Sequence, residues 1–266
     1  MAQRLSRAKT KIETAGIPYE VPERAELGER VEVVLEVIYA IGSEGHVATS
    51  GEDLARVDLA EEALRLAELV VALVPESAPA RGLLALLLLV HARRGARVEA
   101  GELVPLEEQD RTKWDAPAIA RGKELLADAL RSGPPSAWAV EAAIQALHDE
   151  APDHARTDFA QILVLYGLLR QLTSSPVVAL AEAVARAPVE GPAAALQGVQ
   201  AIESEGSLAR HPALFAAKAD LLRRFGRASD ARTAYAEAIA LTSNDVERRF
   251  LARRSAELAT QSALGG

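Results

Sequence analysis

Two sets of residues in this chain have the types and the closeness in sequence that chemistry needs. The first is basic: His91, Arg93, Arg94 and Arg97, followed by Gln109, Asp110, Arg111, Trp114 and Asp115. Several guanidinium groups can fork around a carboxylate or phosphate, so the set fits a pocket for an anion or an acidic peptide. It fits a structural role too, and that reading is preferred. The arginines would then close a helix C-terminus and pair with Glu107, Glu108, Asp110 or Asp115, with Trp114 anchoring a folded-back loop. The second set is Glu44, Asp53, Arg56 and Asp58, which could meet a partner but is better read as fixing a turn. His148 and His154, with Asp149 and Asp153 between them, cross Pro152 and lack helical i, i+4 spacing, so no metal site is expected. Phosphate-loop, dinucleotide, nucleophile-elbow and zinc-protease signatures are all missing, so neither an enzyme nor a cofactor is expected.

The elements that would position these residues are helices. Hydrophobic residues make up 49% of the chain and aromatics only 4%, with Ala and Leu dominant, which favours helix over a β-sandwich. There is no cysteine, hence no disulfide and no thiolate metal site. A net charge of -8 excludes a chain that coats nucleic acid along its whole length. Its basic exception is the start, where Arg4, Arg7, Lys9 and Lys11 precede the first acid, Glu13. The longest apolar run, Gly82–Val90, is far short of the roughly 20 residues that span a bilayer, and no apolar segment follows the basic start. A soluble, cytoplasmic protein is the expectation.

In chain order, residues 2–14 read as a basic helix, and Gly16, Pro18 and Pro22 make an extended linker. A helix over 24–41 places Val31, Val34, Leu35 and Ile38 on one face, and Gly42 to Gly45 end it. Ser50 and Asp53 have the spacing of an N-cap for the next helix, which turns Leu59, Ala63, Leu66 and Val70 inward and stops before Pro75. Ala80–Arg94 is apolar on nearly every side and reads as central. Residues 95–116 have little periodicity and make the longest connection. Helices follow at 117–131, 136–149, 155–172, 176–187, 191–204, 212–225, 228–241 and 245–261, with Trp138 read as packing and Ser175-Pro176 as a cap and first turn.

Between His211 and Asn244 the order of large and small residues resembles a tetratricopeptide repeat. Phe215, Ala219, Gly226, Ala231, Tyr235 and Ala238 stand where that family alternates knobs with holes, and Ser243 replaces the usual closing proline. One repeat cannot bury its own apolar face, so stacked neighbours must supply the rest. Ala179–Ile202 is a candidate degenerate repeat. The fold class expected is all-α, stacked helical hairpins, tetratricopeptide-like in the C-terminal half.

A wider resemblance rests on MAQRLSRAKTKI, GIPYEVP, HARRGARV, LEEQDRTKWD and the tail through NDVERRFLARRSAEL. From residue 1 to about 260 the chain is similar to extracytoplasmic-function (sigma-70-type) sigma factors that carry a C-terminal tetratricopeptide-like extension. The resemblance implies that residues 1–15 end the sigma region 4 DNA-binding helix, with Arg4, Arg7, Lys9 and Lys11 near DNA in the intact protein. It implies a helical subdomain over 16–150, with its loop at 95–116, and a tetratricopeptide-like one over 151–266. The implied function is regulation of transcription initiation by contact with the sigma core, RNA polymerase or a regulatory protein, with promoter DNA reached only through upstream domains and no membrane involved. Two alternatives stand beside it: a helical-repeat scaffold unrelated to transcription, and a small-molecule sensor or enzyme with a pocket among His91, Arg94, Asp110 and Trp114.

Overall fold

The structure, a computed structural model, describes residues 10–11, 14–16 and 27–264. Residues 1–34 and 35–266 form separate compact units. In the first, Thr14 Oγ1 donates to Thr10 O at 2.6 Å and Ala15 N to Lys11 O at 2.9 Å, which is helical bonding. Lys11 is exposed. Arg4, Arg7 and Lys9, and the linker from Ile17 to Pro22, lie outside the described residues.

Helix α1, Leu27–His46, runs past the expected stop at Gly42–Gly45. Those glycines are notches, not terminators: a Cβ on Gly42 would sit 2.5 Å from Leu87 Cδ2, and one on Gly45 would sit 2.4 Å from the backbone nitrogen of Ala60. Leu35 and Ile38 are buried as the periodicity requires, whereas Val34 is exposed. Helix α2, Val57–Leu73, begins after Arg56, and no side chain caps it. The Ser50/Asp53 cap is therefore not formed, because residues 48–53 are held by a different partner, described below.

Helix α3, Ala78–Ala92, is the hub of the N-terminal half. Ser77 caps it, accepting from Ala80 N at 3.2 Å, and ten of its fifteen residues are buried. It is apolar all round because α2, α4 (Ala116–Arg131) and α5 (Ala137–Glu150) all pack on it. Close approach depends on Gly82 against Ala139 N and on Gly122 against Leu89. Leu86, Leu89, Leu126 and Ala142 fill the layer between them.

From α5 onward each helix packs on a near neighbour in sequence. These are α6 (Phe159–Leu172), α7 (Pro176–Ala185), the single turn α8 (Ala187–Glu190), α9 (Pro192–Glu205), α10 (Pro212–Arg224), α11 (Ala228–Leu241) and α12 (Asp245–Leu264). Prolines at the first turns of α7, α9 and α10 and caps at Ser136 and Asp158 set their starts. Ser175 precedes Pro176 but its side chain makes no cap bond. The repeat-like hairpin is formed as its sequence requires: Ala219, Ala231 and Ala238 are fully buried, Phe215 and Tyr235 nearly so, and Gly226 turns the chain at φ +78°. Ala183 and Gly198 meet in the same small-on-small way between α7 and α9. The fold is all-α and tetratricopeptide-like. Its connection from 93 to 115 carries three 3₁₀ turns and a two-residue hairpin, β1 (Val98–Glu99) with β2 (Glu102–Leu103).

Candidate functional site

The basic set at the end of α3 assembles around the base of that connection. Arg93 is buried, donates through Nη2 to Gln145 Oε1, and holds Nη1 3.7 Å from Asp149. Arg94 lies 3.8 Å from Asp115. Arg97 donates to the backbone oxygen of His46 and lies 3.1 Å from its Nδ1. Arg111 donates to His148 O at 2.5 Å and Ala151 O at 2.8 Å, and its guanidinium stacks 4.4 Å over the buried Trp114 ring. Asp115 caps α4 through Ala118 N at 3.1 Å, and its own N–H closes on Ala92 O at 2.9 Å. The loop is thus folded back and anchored on Trp114.

Two expectations are corrected here. Among the described residues Asp110 pairs with no arginine but caps a 3₁₀ turn, accepting from Thr112 N at 3.0 Å and Oγ1 at 2.7 Å. The cavity that His91 and Arg94 line, about 30 Å³, has neither Asp110 nor Trp114 in its wall, so the four do not form one pocket. Gln109 turns inward and donates to Val104 O at 3.1 Å.

Burial dominates the electrostatics. It pushes the Asp149 carboxyl up to about 6 against the pull of Arg93 and Arg111. It also lowers Arg93, whose attraction to Asp149 offsets only part of the loss. Arg97 falls to about 10, through burial first and the Arg93 charge second. His148 falls to about 4 for the same causes, and His46 goes well below its ordinary value. His148 and His154 both pack edge-on against Phe159, at 5.8 and 5.2 Å, as aromatic contacts. Among the described residues no group of acids and histidines could hold a metal ion.

The second polar set splits. Arg56 and Asp58 form a two-bond pair at 3.1 and 2.8 Å on the exposed start of α2. Glu44 instead accepts from Thr49, from its N at 3.1 Å and from its Oγ1. Asp53 contributes its backbone oxygen, which accepts from Asn244 Nδ2 at 2.8 Å.

Sequence reasoning named Glu107 and Glu108 as ion-pair acids but expected the arginines at the end of α3 as their partners, and it missed Glu102 and the arginines opposite all three. Glu102 meets Arg253 at 3.2 Å and Arg249 at 3.5 Å, while Arg249 also donates to Gly101 O at 3.0 Å. Glu107 meets Arg224 at 3.0 Å and His154 at 3.9 Å, and Glu108 pairs with Arg254. The tip of the loop is strapped in this way across the end of α10 and the first half of α12. The sequence signal was three Arg-Arg steps, Arg223-Arg224 in α10 and Arg248-Arg249 and Arg253-Arg254 in α12. Cavities flank the strap: one of about 240 Å³ beside Pro105 and Leu106, and one of about 600 Å³ between Leu103, Ala216, Phe250 and Leu251. A third, of about 620 Å³, lies along α10 between Phe159, Tyr166, Leu180 and Leu221, with Glu107 and Arg224 at its edge.

With this geometry in place, comparison with known proteins agrees on the fold. The crystal structure of TTC0263, a thermophilic TPR protein of Thermus thermophilus, superposes with a TM-score of 0.53 at 18% identity, covering 85% of this chain and 99% of that one. Residues 30–130 match a family of unknown function (DUF6596). Over 264 residues the chain is 39% identical to the Uncharacterized protein R00370 of Rhizobium meliloti (strain 1021). That alignment takes in 99% of this chain but only 62% of the relative's length. Among the described residues no helix is long and apolar enough to cross a membrane.

Proposed function

We propose that this chain is the C-terminal interaction and regulatory domain of an extracytoplasmic-function sigma factor, acting in transcription initiation through contact with the sigma core, RNA polymerase or a regulatory protein in the cytoplasm. The observation that carries the reading is the run of nested hairpins with two open, largely apolar cavities of about 600 Å³ beside α10, one of them with Arg224 at its edge. Such a surface suits a protein segment laid along it. Three further points support it. The family matched at residues 30–130 often forms the C-terminal region of sigma-70-like proteins. The chain's likeness to the sigma-factor extension runs nearly end to end. The curated relative is longer than this chain, which leaves room there for further domains.

The test is direct binding of the chain to purified RNA polymerase core, to sigma core domains and to promoter DNA. The expected result is saturable protein binding with Kd of about 10 μM or tighter, and no sequence-specific promoter binding. Tight, sequence-specific DNA binding, or indifference to every transcription component, overturns the proposal.

A further inference from the structure

We infer that residues 98–109 stand in for a ligand: the surface formed by α10 and α12 takes an extended acidic peptide with apolar residues between its acids, and the chain's own strap occupies that surface until such a partner displaces it. The inference deepens the proposed function by stating the partner's chemistry. It rests on that reading only for the partner's being a transcription protein.

The strap itself defines the chemistry. Its sequence from Gly101, GELVPLEEQD, alternates acids with Leu103, Pro105 and Leu106. Three of its acids, Glu102, Glu107 and Glu108, lie against arginines of α10 and α12: Arg224, Arg249, Arg253 and Arg254. Four cations from two helices on one strip of surface make a matched receptor for spaced carboxylates. Partners lie 117 to 151 residues apart in sequence, so the contact is a docking of two surfaces and not a local turn.

The strap is held in a way that permits release. Its base is fixed by the buried Arg93 and Trp114 and by the half-buried Arg111, which stacks on the Trp114 ring. Its tip is held mainly by ion pairs whose charges stay partly in water, with Glu108 48% exposed, Arg253 43% and Arg224 40%. Such pairs are individually weak and are screened by salt. Leu103, Pro105 and Leu106 are only half-buried, and cavities of about 240 and 600 Å³ remain beside them. A partner with larger apolar side chains at those places gains contacts the strap does not make.

The experiment uses the whole chain and a fluorescein-labelled peptide GELVPLEEQD. Glu102→Gln/Glu107→Gln/Glu108→Gln should bind the peptide at least tenfold more tightly than the wild type, and changing the peptide's three Glu to Gln should remove the binding. Arg253→Glu/Arg254→Glu should abolish it. Because the chain has no cysteine, a dye on Ala100→Cys reports the strap directly in the otherwise wild-type protein. Unlabelled peptide should lower that dye's anisotropy saturably, a readout that stands even if the triple variant fails to fold. Equal peptide affinity with and without the strap acids, no binding to a folded triple variant, or an unmoved dye each overturns the inference. Displacement of the dye by a 20-nucleotide single strand but not by peptide overturns it in favour of nucleic acid. If the peptide displaces the strap while the chain ignores RNA polymerase and the sigma core, the inference stands and the transcription reading falls.

Discussion

Asp149 lies 3.7 Å from Arg93 with its side chain wholly removed from solvent, and neither of its oxygens accepts a hydrogen bond among the described residues. Attraction and burial therefore compete, and the upward shift to about 6 shows burial ahead. The sign follows. As pH falls through 6 the folded chain takes up a proton that the unfolded chain does not bind until about 4. This contribution is fully present below 4 and is lost as pH rises through 6; a shift of about two units corresponds to roughly 3 kcal/mol. Asp149→Asn removes the titration. At pH 8 the variant should be more stable, by up to roughly 3 kcal/mol, and the advantage should vanish near pH 4. Urea unfolding at the two pH values measures it; a loss of several kcal/mol at pH 8 would place the pull of Arg93 and Arg111 above the cost of burial.

Two helical glycines should respond in opposite directions to the same change. Nothing lies within 4 Å of a Cβ added to Gly167, so Gly167→Ala should stabilise α6 by about 0.5–1 kcal/mol through helix propensity alone. On Gly45 that Cβ would meet backbone atoms of Ala60 at 2.4 and 2.7 Å, which cannot swing aside. Gly45→Ala should cost about 1–3 kcal/mol in spite of the better propensity. Thermal unfolding of the pair decides whether Gly45 is a packing notch, since equal gains would return it to a mere helix-end signal.

The contrast explains what could be read in the sequence. Some helix ends were legible because their signals are local: Pro212 opens α10, and Gly226 takes the left-handed turn the pattern demanded; the start of α6, expected at 155, falls instead at Phe159, after a 3₁₀ turn at His154–Arg156 and the cap Asp158. So was the alternation of Phe215, Ala219, Tyr235 and Ala238, since a hairpin contains its own complement. A glycine inside a helical pattern is ambiguous, because a stop and a notch have one spelling, and at Gly42 and Gly45 the notch is what the neighbours require. The basic end of α3 was visible as a cluster, yet its partners Gln145, Asp149 and His46 lie about 50 residues away in either direction. That the loop folds back and pairs through Glu107 and Glu108 was legible, but its partners were not: Glu102 resembles any solvated acid, and nothing local points to Arg253 and Arg254 until α12 brings them to the loop.

The turn of the β1–β2 hairpin holds Ala100 at φ +50° and Gly101 at φ +80°, a pair of positive angles that suits glycine or asparagine at both positions. Alanine there carries a left-handed penalty of about 1 kcal/mol. Ala100→Gly should therefore leave the fold intact and raise stability by up to about 1 kcal/mol, less than the penalty where glycine's extra freedom in the unfolded chain offsets it. A fall in stability measured by urea unfolding would mean that the Ala100 methyl group makes a contact worth more than the strain.

Asn244 is the residue whose removal should be felt most widely. It is fully buried, and its Nδ2 donates to Ala48 O at 3.0 Å and to Asp53 O at 2.8 Å. Its Oδ1 accepts from Val246 N at 3.0 Å and Glu247 N at 3.2 Å, capping α12. Around it Asp245 N donates to Gly51 O at 2.9 Å, so one amide ties the start of the last helix to the segment that precedes α2. Asn244→Ala strands the buried Ala48 carbonyl, the part-buried Asp53 carbonyl and a helix N-terminus, a loss of roughly 3 kcal/mol, or about 6–12 °C in Tm for a domain of this size. Asn244→Ser keeps a cap but not the clamp and should recover only about 1 kcal/mol of that. Asn244→Asp keeps the acceptor yet turns a carboxylate toward two carbonyls in a site without solvent, so it should be no better than alanine. Thermal melts of the three variants separate cap from clamp. If Asn244→Asp melts with the wild type, the bonds to Ala48 and Asp53 contribute nothing and the cap alone accounts for the residue.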